Sequence, residues 1–362
     1  MTQPFDSYRP PEGARPRTRQ ERRAARRSGD GGREEKMVPK VHFDSYYGTP
    51  VVKAPPWKSP IGIYLFLGGV AGGSSLLALG SQISGNAALR RTARLAAFGA
   101  AASGSLALIA DLGRPERMLN MFRVFKLSSP MNMGSWILGS FGGTSALAAL
   151  AEIDDLTQHW APLPRRLRTL LHRVVSPAAG VAAGALGAPL AVYTAVLLGD
   201  TSNPVWNEVK DTLPVVFVSS ASLASAGTAM VFTPTADAAP ARFLALAGAS
   251  ADLYATHQMM EKADPVIEES LREGRSGTML SLSEKCVAAG LVGTLLGARR
   301  SRKMAVASGL ALMAGSALTR FGMLYAGLDS VKDPRCVIEP QKRRLRARQD
   351  AGTVHDSITT AR

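Results

Sequence analysis

The sequence predicts an all-α integral membrane protein with eight transmembrane helices, arranged as two four-helix bundles between polar tails. Three observations predict it. Residues 61–325 are mostly Ala, Gly, Leu, Val and Ser, with charges gathered between apolar blocks, as in chains that cross a bilayer repeatedly. Eight of these blocks approach the roughly 20 apolar residues needed to cross the hydrocarbon core. The two ends are polar and Arg-rich, which divides the chain into an N-terminal tail (1–58), a membrane domain (59–328) and a C-terminal tail (329–362). The N-terminal tail reads as partly disordered.

In chain order the expected spans are 61–82, 93–111, 133–151, 176–199, 213–232, 241–260, 280–298 and 304–326. In the first, "GGVAGGSS" (68–75), and in the fourth, "GVAAGALGA" (180–188), small residues recur about four apart. That spacing lets helix backbones approach closely in lipid. Pro177 suits a first helical turn, and Pro189 predicts a kink. The seventh span is the weakest, because its apolar run "CVAAGLVGTLLGA" is short. It crosses only if the helix starts near Met279 and carries Glu284 and Lys285 at the boundary. An even count puts both termini on one side. No strong internal repeat is visible.

The connectors differ by side. Those opposite the tails are short and basic ("RRTAR", "RRLRTLLHR", "ARRSRK"). By the positive-inside rule these would be cytoplasmic, whereas the Arg-rich N-terminal tail argues for the reverse. Orientation therefore stays open.

The formal net charge is +15, much of it in residues 15–27 and 341–348. Such runs suit anionic lipid or a solvated tail. No aromatic residues interleave with the tail arginines, which counts against nucleic acid as a partner. No short apolar core with a cleavage site follows them, so the tail is not a signal peptide. The two cysteines, Cys286 and Cys336, exclude a disulfide framework and a self-contained iron–sulfur cluster. Of the five histidines only His257 lies in an apolar block, so no haem or other metal is expected in this chain.

The connector "ADLGRPERMLNMFRVFKLSSPMNMGSW" (110–136) is more polar than punctuation requires. Gly113 and Pro115 read as a helix stop, with Gly113 in the left-handed cap. Ser128 or Ser129 reads as the cap of a helix beginning at Pro130. Those roles leave Asp111, Arg114, Arg117, Asn132 and Trp136 unexplained at one membrane boundary. Asp111 closes a helix against an unfavourable dipole and should want a cation such as Arg114. In the sixth span Asp252 lies near mid-membrane, and His257 and Glu261 share a face four residues apart. Arg320 in the eighth span is expected to pair with an acid such as Asp252 or to snorkel to the surface. Polar groups at such depth are functional candidates, and a buried pair that fixes helix register is the structural alternative.

Taken in order, "WKSPIGIYLFLGGVAGG" from Trp57, then "DLGRPER", "SSPMNMGSW" and "NPVW", resemble the NrfD-type membrane subunits of the polysulfide reductase family over about residues 57–330. The resemblance implies an eight-helix subunit of the bacterial cytoplasmic membrane that binds quinone or quinol. It also implies docking to an iron–sulfur subunit, with a molybdenum or tungsten catalytic subunit beyond, as in formate dehydrogenase or polysulfide reductase assemblies. The Ala, Arg and Gly bias of a GC-rich genome suggests an actinobacterial host and menaquinone as the carrier. Tyr64 stands where the family places a polar quinone contact and some members use His. Its alternative is an interfacial aromatic anchor. Quinone-binding candidates are thus Tyr64, Asp111, Arg114, Asn132, Ser135 and Trp136. Asp252, His257, Glu261 and Arg320 are proton-path candidates. A secondary transporter and a passive anchor or assembly subunit remain as alternative functions.

Overall fold

The structure is a computed structural model that describes residues 50–352. The arginine run at 15–27, His42 and His355 lie outside the described residues. The long helices are α1 (Ser59–Ile83), α2 (Ala87–Asp111), α3 (Pro130–Leu156) and α4 (Arg165–Gly199). The short α5 (Pro204–Glu208) leads to α6 (Leu213–Phe232) and α7 (Ala239–Lys262). The short α8 (Pro265–Arg272) precedes α9 (Gly274–Leu296), α10 (Arg302–Ser330) and α11 (Arg335–Asp350).

Seven helices among the described residues are long and apolar enough to cross a membrane: α1, α2, α3, α4, α6, α9 and α10. The weak seventh block is one of them. Its helix starts at Gly274, upstream of Met279, so Glu284 and Lys285 lie mid-helix instead of at its boundary. The preceding Ser/Thr-rich stretch is accommodated because Thr278 and Ser283 hydroxyls donate to the carbonyls of Gly274 and Gly315. The long helix outside the seven is α7, whose 24 residues carry Arg242, Asp252, His257, Glu261 and Lys262.

The fourth helix also starts early, at Arg165, where a connector was expected. A π turn over Leu171–Val175 joins its two parts. Pro177 has no N–H for a carbonyl of the preceding turn, and the wider turn lies just before it. At α2 the expected left-handed Gly113 is absent: the positive-φ glycines among the described residues are Gly85, Gly274 and Gly352. The chain instead leaves α2 through an extended Leu112 and enters a 3-10 turn at Pro115.

The small-residue pattern becomes backbone contact. A Cβ on Gly72 would lie 2.6 Å from the Gly187 carbonyl, and one on Gly187 would overlap Ser75 Oγ. Gly227 of α6 and Gly309 of α10 meet the same way: a Cβ on either would lie within 2.7 Å of the other's carbonyl. α1 therefore packs at backbone distance on α4 and α6 and also against α2, and α6 joins it to α7 and α10.

The basic connectors away from the candidate site have structural partners. Buried Glu152 takes Arg90 at 2.8 Å, Arg94 at 3.0 Å and Arg91 at 3.6 Å. Asp154 Oδ2 takes His159, Arg168 and His172, each at 3.0 Å. Arg302 donates to the carbonyls of Met230, Val231 and Thr233, satisfying the open C-terminus of α6.

Candidate functional site

The candidate site lies where α1 begins and α2 ends. Tyr64 sits in the second turn of α1, because the helix starts at Ser59 with Pro60 in its first turn. Its ring is buried at 4% exposure, which does not suit an interfacial anchor. It lies beside Gly104 of α2, where a Cβ would come within 3.5 Å of its Cδ2. Its hydroxyl has no hydrogen-bond partner among the described residues. A buried hydroxyl left this way costs about 1–3 kcal/mol, so it is an open donor for a ligand acceptor.

Asp111 closes α2 at the same end. The cation acting on it is Lys58, just before α1. Sequence proximity had pointed to Arg114, but the antiparallel α1–α2 pairing brings Lys58 to that level. Trp57 completes this end by stacking on Trp206 at 5.4 Å. Trp206 is fully buried, and its Nε1 donates to the Met323 carbonyl at 2.7 Å. The "NPVW" turn is pinned by Asn203, whose amide donates to the Gly327 carbonyl at 2.7 Å.

The connector residues do a different job. Ser129 caps α3 by accepting from the Asn132 N–H, and Pro130 is the first helical residue, as the sequence indicated. The Asn132 amide donates to the Met121 and Val124 carbonyls and accepts from the Lys126 N–H. Trp136 Nε1 also donates to Val124, at 3.2 Å, and Ser135 donates to the Met131 carbonyl. Phe122 and Phe125 meet the Trp136 ring edge to face, at 5.4 and 5.8 Å. These side chains clamp residues 121–126 into a fixed cap. Arg114 lies where this cap leaves α2.

The proton-path candidates divide into two environments. His257 and Glu261 are exposed and paired, Nε2 to Oε1 at 3.2 Å, on one face as their spacing indicated. Asp252 is buried, and Ser219 of α6 donates to its Oδ1 at 3.2 Å. Arg320 is fully buried and so does not snorkel; Asp252 is the acid whose charge acts on it, as expected, though the two form no ion pair at contact distance among the described residues. Its Nη2 donates to the Phe217 carbonyl at 2.5 Å, and its guanidinium lies 3.8 Å over the Phe217 ring. Its Nε and Nη1 have no hydrogen-bond partner among the described residues. Phe217 and Ser219 were not singled out from the sequence, because an apolar ring and one of four serines in an apolar helix carry no signal until α6 is packed.

A protein-family model described as "Polysulphide reductase, NrfD" matches residues 50–251, more than half of the chain. No curated protein matches the chain. The matched segment holds all six quinone-binding candidates and stops just before Asp252.

Proposed function

Because this chain belongs to the NrfD polysulphide reductase family, we propose that it is the quinone-reactive membrane subunit of a multisubunit respiratory oxidoreductase. The chain is a multi-pass membrane protein. In the proposed reading α7 crosses as well, giving eight spans in two groups of four and both termini on one side of a bacterial cytoplasmic membrane. An iron–sulfur subunit docks on that side, with a molybdenum or tungsten catalytic subunit beyond it. Electrons pass between that partner and quinone or quinol, with menaquinone as the carrier.

The observation that carries this reading is the Tyr64 hydroxyl, buried at the α1–α2 end without a hydrogen-bond partner among the described residues. Quinone, when bound, supplies two-electron chemistry that also moves two protons. Tyr64 would donate to one of its carbonyls. A phenol is a poor proton carrier near neutral pH, so Asp111 is assigned the proton, beside Lys58. The 121–126 cap with Arg114, Asn132, Ser135 and Trp136, together with the Trp57–Trp206 stack, would wall the ring and exclude water.

Tyr64→Phe should leave the fold intact and weaken quinone binding about tenfold, the loss of one hydrogen bond worth about 1.4 kcal/mol. Asp111→Asn should lower quinol-linked turnover of the purified complex. Wild-type values for both would remove this site. One observation favours the passive-anchor alternative: every polar atom of the Asn132 side chain is spent on the connector. Quinone retained through purification would oppose that alternative.

A further inference from the structure

A cavity of about 410 Å³ lies in the C-terminal part of the chain, beyond the segment matched by the family. It is bounded by α7, α8, α9 and α10. Asp252 is the buried acid in its wall, and Thr319 lines it from α10. The exposed His257 and Arg272 line it towards the ends of α7 and α8, so the cavity leads inward from that boundary. We propose that this cavity is a water-filled proton-exchange site, in which Asp252 takes up and releases a proton independently of the Tyr64 site.

Four observations support it. Asp252 lies ten residues inside the end of α7, about 15 Å along the axis at 1.5 Å per residue. A carboxylate at that depth is retained only where water, a partner or a protein cavity reaches it. Its one hydrogen-bond partner among the described residues is Ser219, which leaves its second oxygen without a protein donor.

Glu284 lies ten residues inside α9, at matching depth, and is exposed where it lines the cavity. A second carboxylate facing hydrocarbon there would be costly, and water in the cavity removes that cost. Arg320 is fixed behind Asp252 by the Phe217 carbonyl and ring, with two guanidinium nitrogens unpartnered among the described residues. Its charge favours the Asp252 carboxylate without closing an ion pair that would block protonation.

The charged and titratable groups around Asp252 are His257 on α7, Arg272 on α8, Glu284 on α9 and Arg320 on α10. α6 contributes the Ser219 hydroxyl. On protonation, the proton comes from cavity water to the free oxygen of Asp252, and it returns the same way. No electron transfer is involved.

Infrared pH titration of the full chain in lipid nanodiscs tests this without quinone or electron donor, so its outcome is separate from that of the Tyr64 reading. A carboxylic C=O band should titrate, shift promptly in D₂O, vanish in Asp252→Asn and return in Asp252→Glu. Glu284→Gln should keep the band and move its midpoint. A spectrum unchanged by Asp252→Asn, or a band blind to D₂O, overturns the proposal. Circular dichroism melting of each variant identifies any that fails to fold. In that case, cavity access is read from Ser281→Cys in a Cys286→Ala, Cys336→Ala background. Labelling of that variant by a charged thiol reagent, with Val292→Cys unlabelled, supports a wet cavity, and a Ser281→Cys variant that resists the reagent overturns it.

Discussion

Helices α1 and α9 are nearly equal in length, at 25 and 23 residues, yet their surroundings are opposite. The most apolar stretch of α1 is 72% buried, against 28% for α9. α1 achieves this with Gly69, Gly72 and Gly73, which admit neighbouring backbones where a side chain would clash. α9 packs closely on α10 through Gly290 and Gly315, but towards α7 it presents Ser281 and Glu284 to a cavity. The difference is physical. Small residues gain helix contact from packing in lipid, where the hydrophobic effect supplies no drive. Polar residues at the same depth hold helices apart wherever water satisfies them. The family-matched part is thus closed around the Tyr64 hydroxyl, which has no partner among the described residues, and the remainder is open around a buried acid.

The strongest way to break this comparison is to fill the closed seam. Gly187→Leu would drive a side chain into Ser75 and the Gly72 carbonyl and should abolish folded protein in detergent thermal melts. Gly142→Ala, where a Cβ meets open space, should melt like wild type. Equal behaviour would show that backbone contact does not hold α1 and α4 together.

Arg302→Ala should be the next largest effect. It removes a charged donor from three carbonyls at the end of α6, a loss of about 2–3 kcal/mol. Asn132→Ala should act locally, exposing residues 121–126 to proteolysis while lowering global stability by about 1–2 kcal/mol. Unchanged cleavage of the connector would sink the clamp assigned to Asn132.

The smallest effect should come from acid at α11. Asp333 accepts from the Arg335 N–H and side chain, and that hydrogen bonding holds its carboxyl below the usual range. A depressed folded-state value stabilises above the unfolded value and is lost as pH falls through the folded one. Acidification below about pH 4 should therefore loosen α11 by less than about 1 kcal/mol. Asp333→Asn should remove that pH dependence, as read by hydrogen exchange in α11.

Much of the fold was legible in the sequence because lipid imposes a simple code. Apolar length located the long helices, and small-residue spacing marked α1 and α4 for close packing without saying that they pack on each other. Ser129 and Pro130 gave away the start of α3, and the i,i+4 spacing gave away the His257–Glu261 pair. Helix starts were less legible. Arg165 and Gly274 begin helices because their polar first turns extend beyond the apolar run that marks a span. The candidate site was half legible. Tyr64 and Asp111 are brought to one end, whereas Asn132, Ser135 and Trp136 direct their polar atoms into the connector, a use that depends on how residues 121–126 fold back.

The sequence by itself determined the all-helical membrane class, the family and the chemical types available, because hydropathy, small-residue spacing and ordered motifs are properties of neighbours along the chain. Tertiary structure alone decided which groups lost their partners. Tyr64 is buried beside Gly104 of α2 with no hydrogen-bond partner among the described residues, and Arg320 is held by Phe217 of α6. Whether a buried polar atom is paired depends on groups far away in sequence, and no local pattern encodes that distance.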